Sequence, residues 1–487
     1  MKLLALMGGS LLFPADLVQA GFDPSYHPDR PVERPIDISV FEMFKIGPGP
    51  SSSHTIGPMR AGFDFKELMK GLSTEQLAAA DSLVVYLYGS LASTGLGHGT
   101  HKAVTAGLMG TAPEDATVEM MEELYAQGNE TYTICCNGCS WSFGMKNFVF
   151  DTTEKVDAPC NDVLTIVLYA GEKRLLEREY YSVGGGFLQW KGWTAPARDV
   201  PVHRFDCMNG LLACVASTGR TLPEIMLDNE MSMMGSQKKD IYSNMYKYIE
   251  AMERSVDSGL SCRGVLAGTL HLERQAAAMF EAAKHLSHED AFLAKMSAYA
   301  QATAEENADG HPIVTAPTCG SAGVMPAVLR MLQKERNVSR DGLVDGMLTA
   351  AAVGMLAKRN ASIAAADVGC QGEIGVSSAM AAAMIAQTLD GDPTLVENAA
   401  ALALEHHLGL TCDPVGGYVQ IPCISRCAMG AVEAWNAYVM AKTGRTLKAP
   451  IGLDLTIRAM NETGRDMNEK YRETAQGGLA LFYTQQC

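Results

Sequence analysis

The stretch DGLVDGMLTAAAVGMLAKR, residues 341–359, carries apolar side chains at three- and four-residue spacing and is apolar around most of its circumference. That spacing predicts an α-helix, and the lack of a polar face predicts a helix in the centre of a bundle. Three further stretches share this alanine- and methionine-rich texture, at residues 377–389, 395–408 and 428–444. The sequence therefore predicts an all-α helical domain, which we place over residues 231–487.

The N-terminal half of the chain has a different texture. Short β-rich runs occur at SLVVYLYGS, residues 82–90, and at DVLTIVLYA, residues 162–170. Strand-like runs that alternate with polar turns and helical patterns predict an α+β domain, which we place over residues 36–195. Residues 1–35 are predicted to be an N-terminal extension, and the proline-containing residues 196–230 a linker between the two domains.

Charge and composition limit the class of partner. The 487 residues carry a formal net charge of -16 and no basic cluster, which argues against nucleic acid because its phosphates need neutralisation. No apolar run reaches the roughly 18 residues needed to span a bilayer, so no membrane partner is predicted. The first residues imitate a signal peptide, but the single Lys2 and an apolar stretch broken by Gly8 and Gly9 favour a cytoplasmic protein.

The cysteines point to a metal site or to a reduced core. Thirteen are scattered along the chain, unlike the dense disulfide framework of a small secreted domain. Cys412 and Cys423 lie in proline-flanked backbone, and Cys370 lies in a glycine-rich joint, where backbone can approach an inorganic cluster closely. Three thiolates would leave one iron of a [4Fe–4S] cluster open as a Lewis acid. The alternative is that these cysteines are simply small core residues.

Two further sequence features give weaker evidence for a metal or cofactor site than the three cysteines do. CCNGC, residues 135–139, contains the pair Cys136 and Cys139, but no second pair follows to complete a zinc site, and a turn explains the glycine equally well. Lys358 is the lysine in the helical half that would suit a Schiff base with pyridoxal phosphate, although such a lysine more often covers apolar surface with its stem.

Hydroxyl-rich loops form a second polar constellation. GPGPSSSHTIGP, residues 47–58, places a histidine among serines and a threonine between two rigid turns, which suits recognition of a carboxylate or ammonium group. His54 titrates near neutrality and is the candidate general base, unless the loop is only a serine-rich surface turn. TAPTCGSAG, residues 315–323, adds hydroxyls ahead of a helix, whose free amides favour an anion.

Long motifs, in order from about residue 37 to the C-terminus, resemble the iron–sulfur-dependent L-serine dehydratases (L-serine ammonia-lyases) of the single-chain type. The family fold pairs an α+β N-terminal domain with an all-helical catalytic domain, in agreement with the change of texture described above. The motifs that carry the resemblance are SVFEMFKIGPGPSSSHTIGPM, YGSLASTGLGHGTHK, YYSVGGGF, EENADGHPIVTAPTCGSAGVMPAVL, KRNASIAAADVGCQGEIG, EHHLGLTCDPVGGYVQIPCISR and TGRDMNEKYRETAQGGLA.

The resemblance implies conversion of L-serine to pyruvate and ammonia by a [4Fe–4S] enzyme. The cluster ligands would be Cys370, Cys412 and Cys423, with Cys427 a bystander, and we hypothesise that Cys487 caps the open iron when substrate is absent. The open iron would bind the β-hydroxyl of serine, while His54, or less favourably Lys102, removes the α-proton. The residues expected to orient the substrate are Ser52, Ser53, Thr55, Thr315, Thr318, Ser321, Asn360 and Ser362.

The N-terminal domain resembles small ligand-binding domains of amino-acid enzymes, which suggests a separate regulatory site for serine by fold analogy alone. A homodimer is also expected, although no sequence feature shows it. The chain departs from the family pattern at Asp367, where glutamate is usual, and at Cys319, where asparagine is common. Two rival interpretations stay open at this stage. One is a pyridoxal-phosphate ammonia-lyase with Lys358 as its Schiff-base lysine, and the other is a non-catalytic iron–sulfur sensor or zinc-stabilised binding protein.

Overall fold

The structure is a computed structural model, and it describes residues 32, 34–128, 130–153, 157–158, 160–194, 198–444 and 450–483. Most of the predicted extension and Cys487 lie outside the described residues. The strands are β1 Lys45–Pro48, β2 Ser82–Tyr88, β3 Thr131–Cys136, β4 Cys139–Gly144, β5 Phe148–Asp151, β6 Asp162–Ala170, β7 Lys173–Ser182, β8 Leu188–Trp190 and β9 Pro312–Thr315.

The helices are more numerous in the C-terminal half. They are α1 Val40–Met43, α2 Gly57–Lys70, α3 Thr74–Ala79, α4 Gly89–Thr94, α5 Thr100–Met109, α6 Val118–Glu123, α7 Met208–Thr218, α8 Leu222–Met234, α9 Lys238–Ser261, α10 Ala276–Ala283, α11 His288–Ala308, α12 Val324–Arg336, α13 Arg340–Asn360, α14 Ala365–Val368, α15 Val376–Leu389, α16 Pro393–Glu405, α17 Cys423–Gly444, α18 Leu453–Asp466 and α19 Leu479–Phe482. Single π-helical turns cover Ser52–Ile56 and Gln371–Gly375. None of the helices in the described part of the chain combines the length and apolarity that crossing a bilayer requires.

The N-terminal half contains the predicted α+β domain. Its sheet has the strand order β5-β2-β6-β7-β8, in which β2 and β5 run parallel and the other pairs antiparallel. Alternate residues of β2 are buried, namely Leu83, Val85 and Leu87, and they share one core with Phe65 of α2 and Val104 of α5. A period of two in the burial of a strand is what a sheet with one covered face requires.

The C-terminal half is a helical bundle centred on α13, as the opening stretch predicted. Nearly every residue of α13 between Leu343 and Ala357 is buried, and the same holds for α15 from its first residue to Ala386. The two helices approach closely at Gly346, where a Cβ atom would lie 2.6 Å from the Cγ2 atom of Thr388. Small residues thus permit the tight packing of helices that have no polar face.

The structure differs from the predicted domain boundaries. The range 196–230, predicted to be a linker, contains α7 and most of α8, whose residues Leu211 and Ile225 lie in the core of the helical bundle. Prolines suggested a connection there, but the apolar residues of both helices are buried by tertiary packing. Residues 36–48 also join the helical half, because Val40 of α1 lies in its core and β1 pairs antiparallel with β9.

Candidate active site

One cavity of about 690 Å³ lies where the two halves of the chain meet. The serine-rich turn, the start of α4 and the start of β6 reach it from the N-terminal half, and the thiol-bearing joints reach it from the helical half. Its lining includes Ser51, Ser52, Ser53, Ser90, Thr94, His98, Cys160, Asp162, Ser182, Thr318, Asp367, Glu373, Cys412, Cys423, Arg472 and Glu473. Hydroxyls, carboxyl groups and thiols therefore share one concave surface, which is the usual form of a catalytic pocket.

Three buried thiols lie on the helical side of the site, and two of them, Cys412 and Cys423, line the cavity. Cys370 immediately precedes the π-helical turn Gln371–Gly375, and its Sγ, the Sγ of Cys412 and a carboxylate oxygen of Glu373 all lie within 4.8 Å of one another. Cys423 opens α17 and lines the cavity beside Cys412. The backbone of Cys412 is fixed on both sides, since its N–H donates to the Tyr471 carbonyl at 2.8 Å.

The electrostatics of these thiols fit a bound cationic cluster. The hydrogen bond with Cys370, followed by burial, raises the pKa of Cys412 well above its ordinary value. Burial also raises the pKa of Cys423, as do the neighbouring Cys370 and Glu373, while Arg426 opposes the rise. Thiolates packed this closely beside a carboxylate need a positive centre to coexist, and iron in a [4Fe–4S] cluster prefers thiolate ligands.

The other cysteines that the sequence raised lie outside this group. Cys427 is buried one turn after Cys423 with its Sγ 3.3 Å from the Gly320 carbonyl oxygen, and it does not line the cavity. Cys319 is also buried, and burial raises the pKa of its thiol well above the ordinary value. Cys136 and Cys139 face each other across the β3–β4 hairpin, and no set of three potential metal ligands includes them within the described ranges.

His54 of the serine-rich turn is fixed by contacts of both its ring nitrogens with serine hydroxyls. It lies behind the cavity wall and does not line the cavity. The Ser53 hydroxyl lies 2.8 Å from Nδ1 of His54, and the Ser90 hydroxyl lies 2.9 Å from Nε2. The imidazole is 1% exposed, and burial lowers its pKa to about 4. Both serines line the cavity, whereas His54 does not, so two hydroxyl groups separate this candidate base from the space a substrate would occupy.

His98 lines the cavity and contacts His54, with ring centroids 4.6 Å apart and the ring planes tilted by 43°. Its Nδ1 lies 3.1 Å from the Thr94 carbonyl oxygen, which can only accept a hydrogen bond. Neutral His98 therefore carries its proton on Nδ1 and its lone pair on Nε2. Burial, then the neighbouring His54, lowers the pKa of His98 to about 3.

Some of the hydroxyl residues predicted at 52–55 and 315–321 line the cavity, and the others support its wall from behind. Ser52, Ser53 and Thr318 line the cavity, and Thr318 hydrogen-bonds to Glu373. Thr55 supports the wall, because its hydroxyl donates to the His98 carbonyl at 2.9 Å. Ser321 lies behind Thr318 with the two hydroxyl oxygens 3.2 Å apart, and the Thr315 hydroxyl accepts from the Lys45 backbone N–H.

Three predicted residues lie farther from the cavity wall. Lys102 donates from Nζ to the Met121 carbonyl at 3.3 Å and does not line the cavity, so the structure does not bring this second candidate base to the site. Asn360 donates to the Asp206 carbonyl at the end of α13. Ser362 reaches the site only indirectly, by donating to a carboxylate oxygen of Asp367 at 2.6 Å.

Lys358 does not line the cavity either, which disfavours the pyridoxal-phosphate interpretation. Its ammonium group lies 3.4 Å from the centroid of the Phe187 ring, and Lys45 lies 3.1 Å from the same centroid. Burial lowers the pKa of Lys358 to about 8. The lysine is thus held against an aromatic ring rather than presented to a substrate.

No sequence motif identified Asp162 and Glu373, the carboxyl groups of the site, as functional residues. Burial raises the pKa of both Asp162 and Glu373 to about 7, against hydrogen bonds from nearby hydroxyls that lower it. Glu373 lies three residues after Cys370, a proximity that could have drawn attention to it. Asp162 begins a strand far from every motif of the helical half, and only the folded chain brings it to the cavity.

Comparison with known proteins assigns the family. The serine dehydratase beta chain family matches residues 39–193, and the serine dehydratase alpha chain family matches residues 217–480. L-serine dehydratase TdcG of Escherichia coli (strain K12) is 40% identical over 456 residues, covering 91% of this chain and 99% of that protein. The L-serine dehydratases of Streptomyces coelicolor and Mycobacterium bovis are 40% and 37% identical, with 91% of this chain and 98% of each relative covered. The chain therefore belongs to the serine dehydratase family, as a single polypeptide that joins the beta-chain and alpha-chain regions.

Proposed function

We propose that this protein converts L-serine to pyruvate and ammonia. The proposal is supported by the family assignment and by identities of about 40% to L-serine dehydratases over most of the chain. The observation that carries it is that Cys412, Cys423 and His98 line a single cavity of about 690 Å³, with Cys370 beside Cys412 and His54 in contact with His98. Such a site combines a metal-binding wall with a proton acceptor, which is what elimination of a poor leaving group requires.

The thiols are the proposed ligands of a [4Fe–4S] cluster. Cys370, Cys412 and Cys423 would hold it, and its open iron would supply Lewis-acid chemistry for departure of the β-hydroxyl. The proposal is supported by the buried thiol set, whose neighbouring carboxylate favours a positive centre. Capping of the cluster by Cys487 stays a prediction, because that residue lies outside the described part of the chain.

The side chains of the cavity wall would bind the substrate and move its proton. Hydroxyls such as those of Ser52 and Thr318 donate to the substrate carboxylate, and Glu473 is a carboxyl group suited to the ammonium. Nε2 of His98, backed by His54, takes the α-proton, and the electron pair of that bond forms the Cα–Cβ double bond as the β-hydroxyl departs. The aminoacrylate product then tautomerises to an imine, which water hydrolyses to pyruvate and ammonia.

The compartment and assembly of the protein are also proposals. The cysteines of the described residues are all free thiols, which supports a reducing cytoplasm. A homodimer remains a prediction, as does a regulatory serine site in the N-terminal domain, which rests on fold analogy alone.

Iron content and turnover, measured together on protein purified without oxygen, test the proposal. We expect about four irons per chain, matching sulfide, and pyruvate formation from L-serine that exposure to air abolishes. Replacement of Cys370, Cys412 or Cys423 by serine should remove both iron and turnover. The matched control is Cys427→Ser, which changes a buried thiol one helical turn away and should keep both. Turnover that survives complete loss of iron would contradict the proposal.

A further inference from the structure

Asp162 is a buried acid that faces the cavity from the first position of β6. The residue is 8% exposed, and its Oδ1 atom lies 3.7 Å from Nε2 of His54. Within the described part of the chain, that oxygen has no hydrogen-bond partner. Burial of a carboxyl group destabilises its ionised form unless a neighbouring group stabilises that charge.

Two serine hydroxyls connect this acid to the imidazole. The Ser53 hydroxyl contacts Nδ1 of His54 and the Ser90 hydroxyl contacts Nε2, at 2.8 and 2.9 Å. The same two hydroxyls neighbour the carboxyl group of Asp162 and lower its pKa against the effect of burial. These four side chains, which we call the ring, place one hydroxyl between each imidazole nitrogen and the carboxyl group.

Counting hydrogens around the ring limits its charge states. Each hydroxyl has a single hydrogen to donate. If both hydroxyls donate to an ionised Asp162, both nitrogens of His54 must donate to the hydroxyl oxygens, so His54 is an imidazolium. If His54 is neutral, one hydroxyl must donate to the bare nitrogen, and a proton on Asp162 then completes the ring. One proton is thus shared between Asp162 and His54, and its loss at higher pH leaves an ionised Asp162 beside a neutral His54, with one contact of the ring lacking a hydrogen.

We propose that Asp162 is a positioning residue for His54 and the adjacent His98. It shares a proton with His54 through the two hydroxyls, and its negative charge, once formed, stabilises His98 after His98 has accepted the substrate α-proton. A buried carboxylate commonly orients an imidazole and stabilises the charge that the imidazole acquires. This inference rests on the proposed function, because it assigns His98 as the acceptor of the α-proton.

The ionisation of the ring gives the inference a pH signature. Burial raises the pKa of Asp162 to about 7, Ser53 and Ser90 oppose that rise, and Asp367 adds to it. Burial lowers the pKa of His54 to about 4, so near neutrality the shared proton resides mainly on Asp162. The other titratable groups that face the ring are His98, Cys160, Asp367 and Glu473. We therefore expect kcat to rise with pH as Asp162 ionises.

Asp162→Asn in the holoenzyme tests this role, because the amide keeps the shape but cannot exchange the proton. We expect kcat to fall about 10- to 100-fold while KM for L-serine stays within about threefold, and the rise of kcat near pH 7 to disappear. ¹⁵N-histidine NMR of the same proteins should show a changed tautomer and titration of His54. A rise of KM at constant kcat would overturn the inference in favour of direct substrate binding, and unchanged kinetics and spectra would also refute it.

Two further variants keep the test decisive. Ser90→Ala breaks one side of the ring while leaving Asp162 in place, so it carries the test if Asp162→Asn loses its cluster or its fold. The effects of Ser90→Ala and Asp162→Asn should be strongly non-additive, since both act through His54. The control is Asp228→Asn, which alters a histidine–aspartate pair outside the cavity, His203 Nε2 to Asp228 Oδ2 at 3.0 Å. It should change the resonance of His203 and leave that of His54 and the pH profile unaltered.

The NMR readout separates failure of this inference from failure of the proposed function. Coupling between Asp162 and His54 can be measured without turnover. A wild-type protein that produces no pyruvate would refute the proposed function even if the coupling is present. Turnover with no effect of Asp162→Asn on kcat, pH profile or spectra would refute only the inference.

Discussion

Arg274 is the centre of a buried ion-pair cluster, and its replacement by methionine should destabilise the helical half. The guanidinium group donates to a carboxylate oxygen of Glu306 at 2.7 Å and to Asp309 at 3.1 Å. The side chains of Arg274 and Glu306 are 4% and 2% exposed, so water does not screen the pair. Glu306 also accepts from the Ser258 hydroxyl at 2.6 Å and contacts His311 at 3.0 Å.

The expected loss of stability follows from the charge of Glu306, which removal of Arg274 would leave buried without this partner. Burial raises the pKa of Glu306, but hydrogen bonds from His311, Ser258 and Arg274 overcome it and lower the pKa from 4.5 to about 2. That displacement corresponds to about 3 kcal/mol of stability at about 1.4 kcal/mol per unit, and His311, Ser258 and Arg274 produce it together. Breaking a buried pair by removing one partner typically costs 3–5 kcal/mol, so we expect a loss of about 3 kcal/mol for Arg274→Met.

Thermal unfolding, followed by circular dichroism on samples with matched iron content, measures this loss. We expect the midpoint to fall by about 6 °C. Because the folded pKa of Glu306 is depressed, its contribution is present above about pH 4.5 and is lost as the pH falls toward 2, so the deficit of the variant should shrink in acid. The control is Arg340→Met, which removes an exposed pair with Glu250 that water screens, and it should shift the midpoint much less. Equal midpoint shifts for the two arginine variants would refute the reasoning.

Two further predictions concern packing and pH. A Cβ atom at Gly259 of α9 would clash with the backbone of Ala302 in α11, so Gly259→Ala should lower the unfolding midpoint, with a destabilisation of about 1–3 kcal/mol. Gly444→Ala, where a Cβ atom would meet no described atom within 4 Å, should instead leave the midpoint unchanged or raise it. Burial lowers the pKa of His311, but its ion pair with Glu306 raises it above the ordinary 6.5 overall. The stabilisation by His311 is therefore complete below about pH 6.5 and is lost as the pH rises through its folded pKa. The difference in unfolding midpoint between wild type and His311→Gln should therefore narrow at alkaline pH. A midpoint difference that widens at alkaline pH would contradict this prediction.

Local patterns predicted much of the architecture. The apolar residues of 341–359 and 377–389 recur at helical spacing, and both stretches form buried helices in the structure. The runs at 82–90 and 162–170 were predicted as strands, and they pair antiparallel as β2 and β6. These predictions are confirmed because hydrophobic periodicity is imposed by the backbone geometry of a single element, which a short window of sequence contains.

The boundary between the halves could not be predicted in the same way. Glu230, within the range predicted to be a linker, is fully buried and accepts a hydrogen bond at 2.6 Å from the Ser39 hydroxyl, 191 residues earlier. No local sequence pattern predicts the hydrogen bond between Ser39 and Glu230. It forms because α1 packs against α8 when the helical bundle buries its apolar faces.

The candidate site was predicted in part. The motifs identified the cysteines and the serine-rich turn, and the structure brings Cys412, Cys423, Ser52 and Ser53 to one cavity. The same motifs could not tell which histidine faces that cavity, nor that Asp162 approaches His54 from a strand more than a hundred residues away in sequence.

The amino-acid sequence by itself determined the element types, the family and the chemical character of the site, because these depend on residue identity and on spacing within one element. Only the tertiary structure decided the order of groups at the cavity: His98 at the wall, His54 behind two serine hydroxyls, and Asp162 beside them. The physical reason is that side-chain convergence depends on which apolar surfaces pack together, and that choice minimises the exposed apolar area of the whole chain rather than of any one segment.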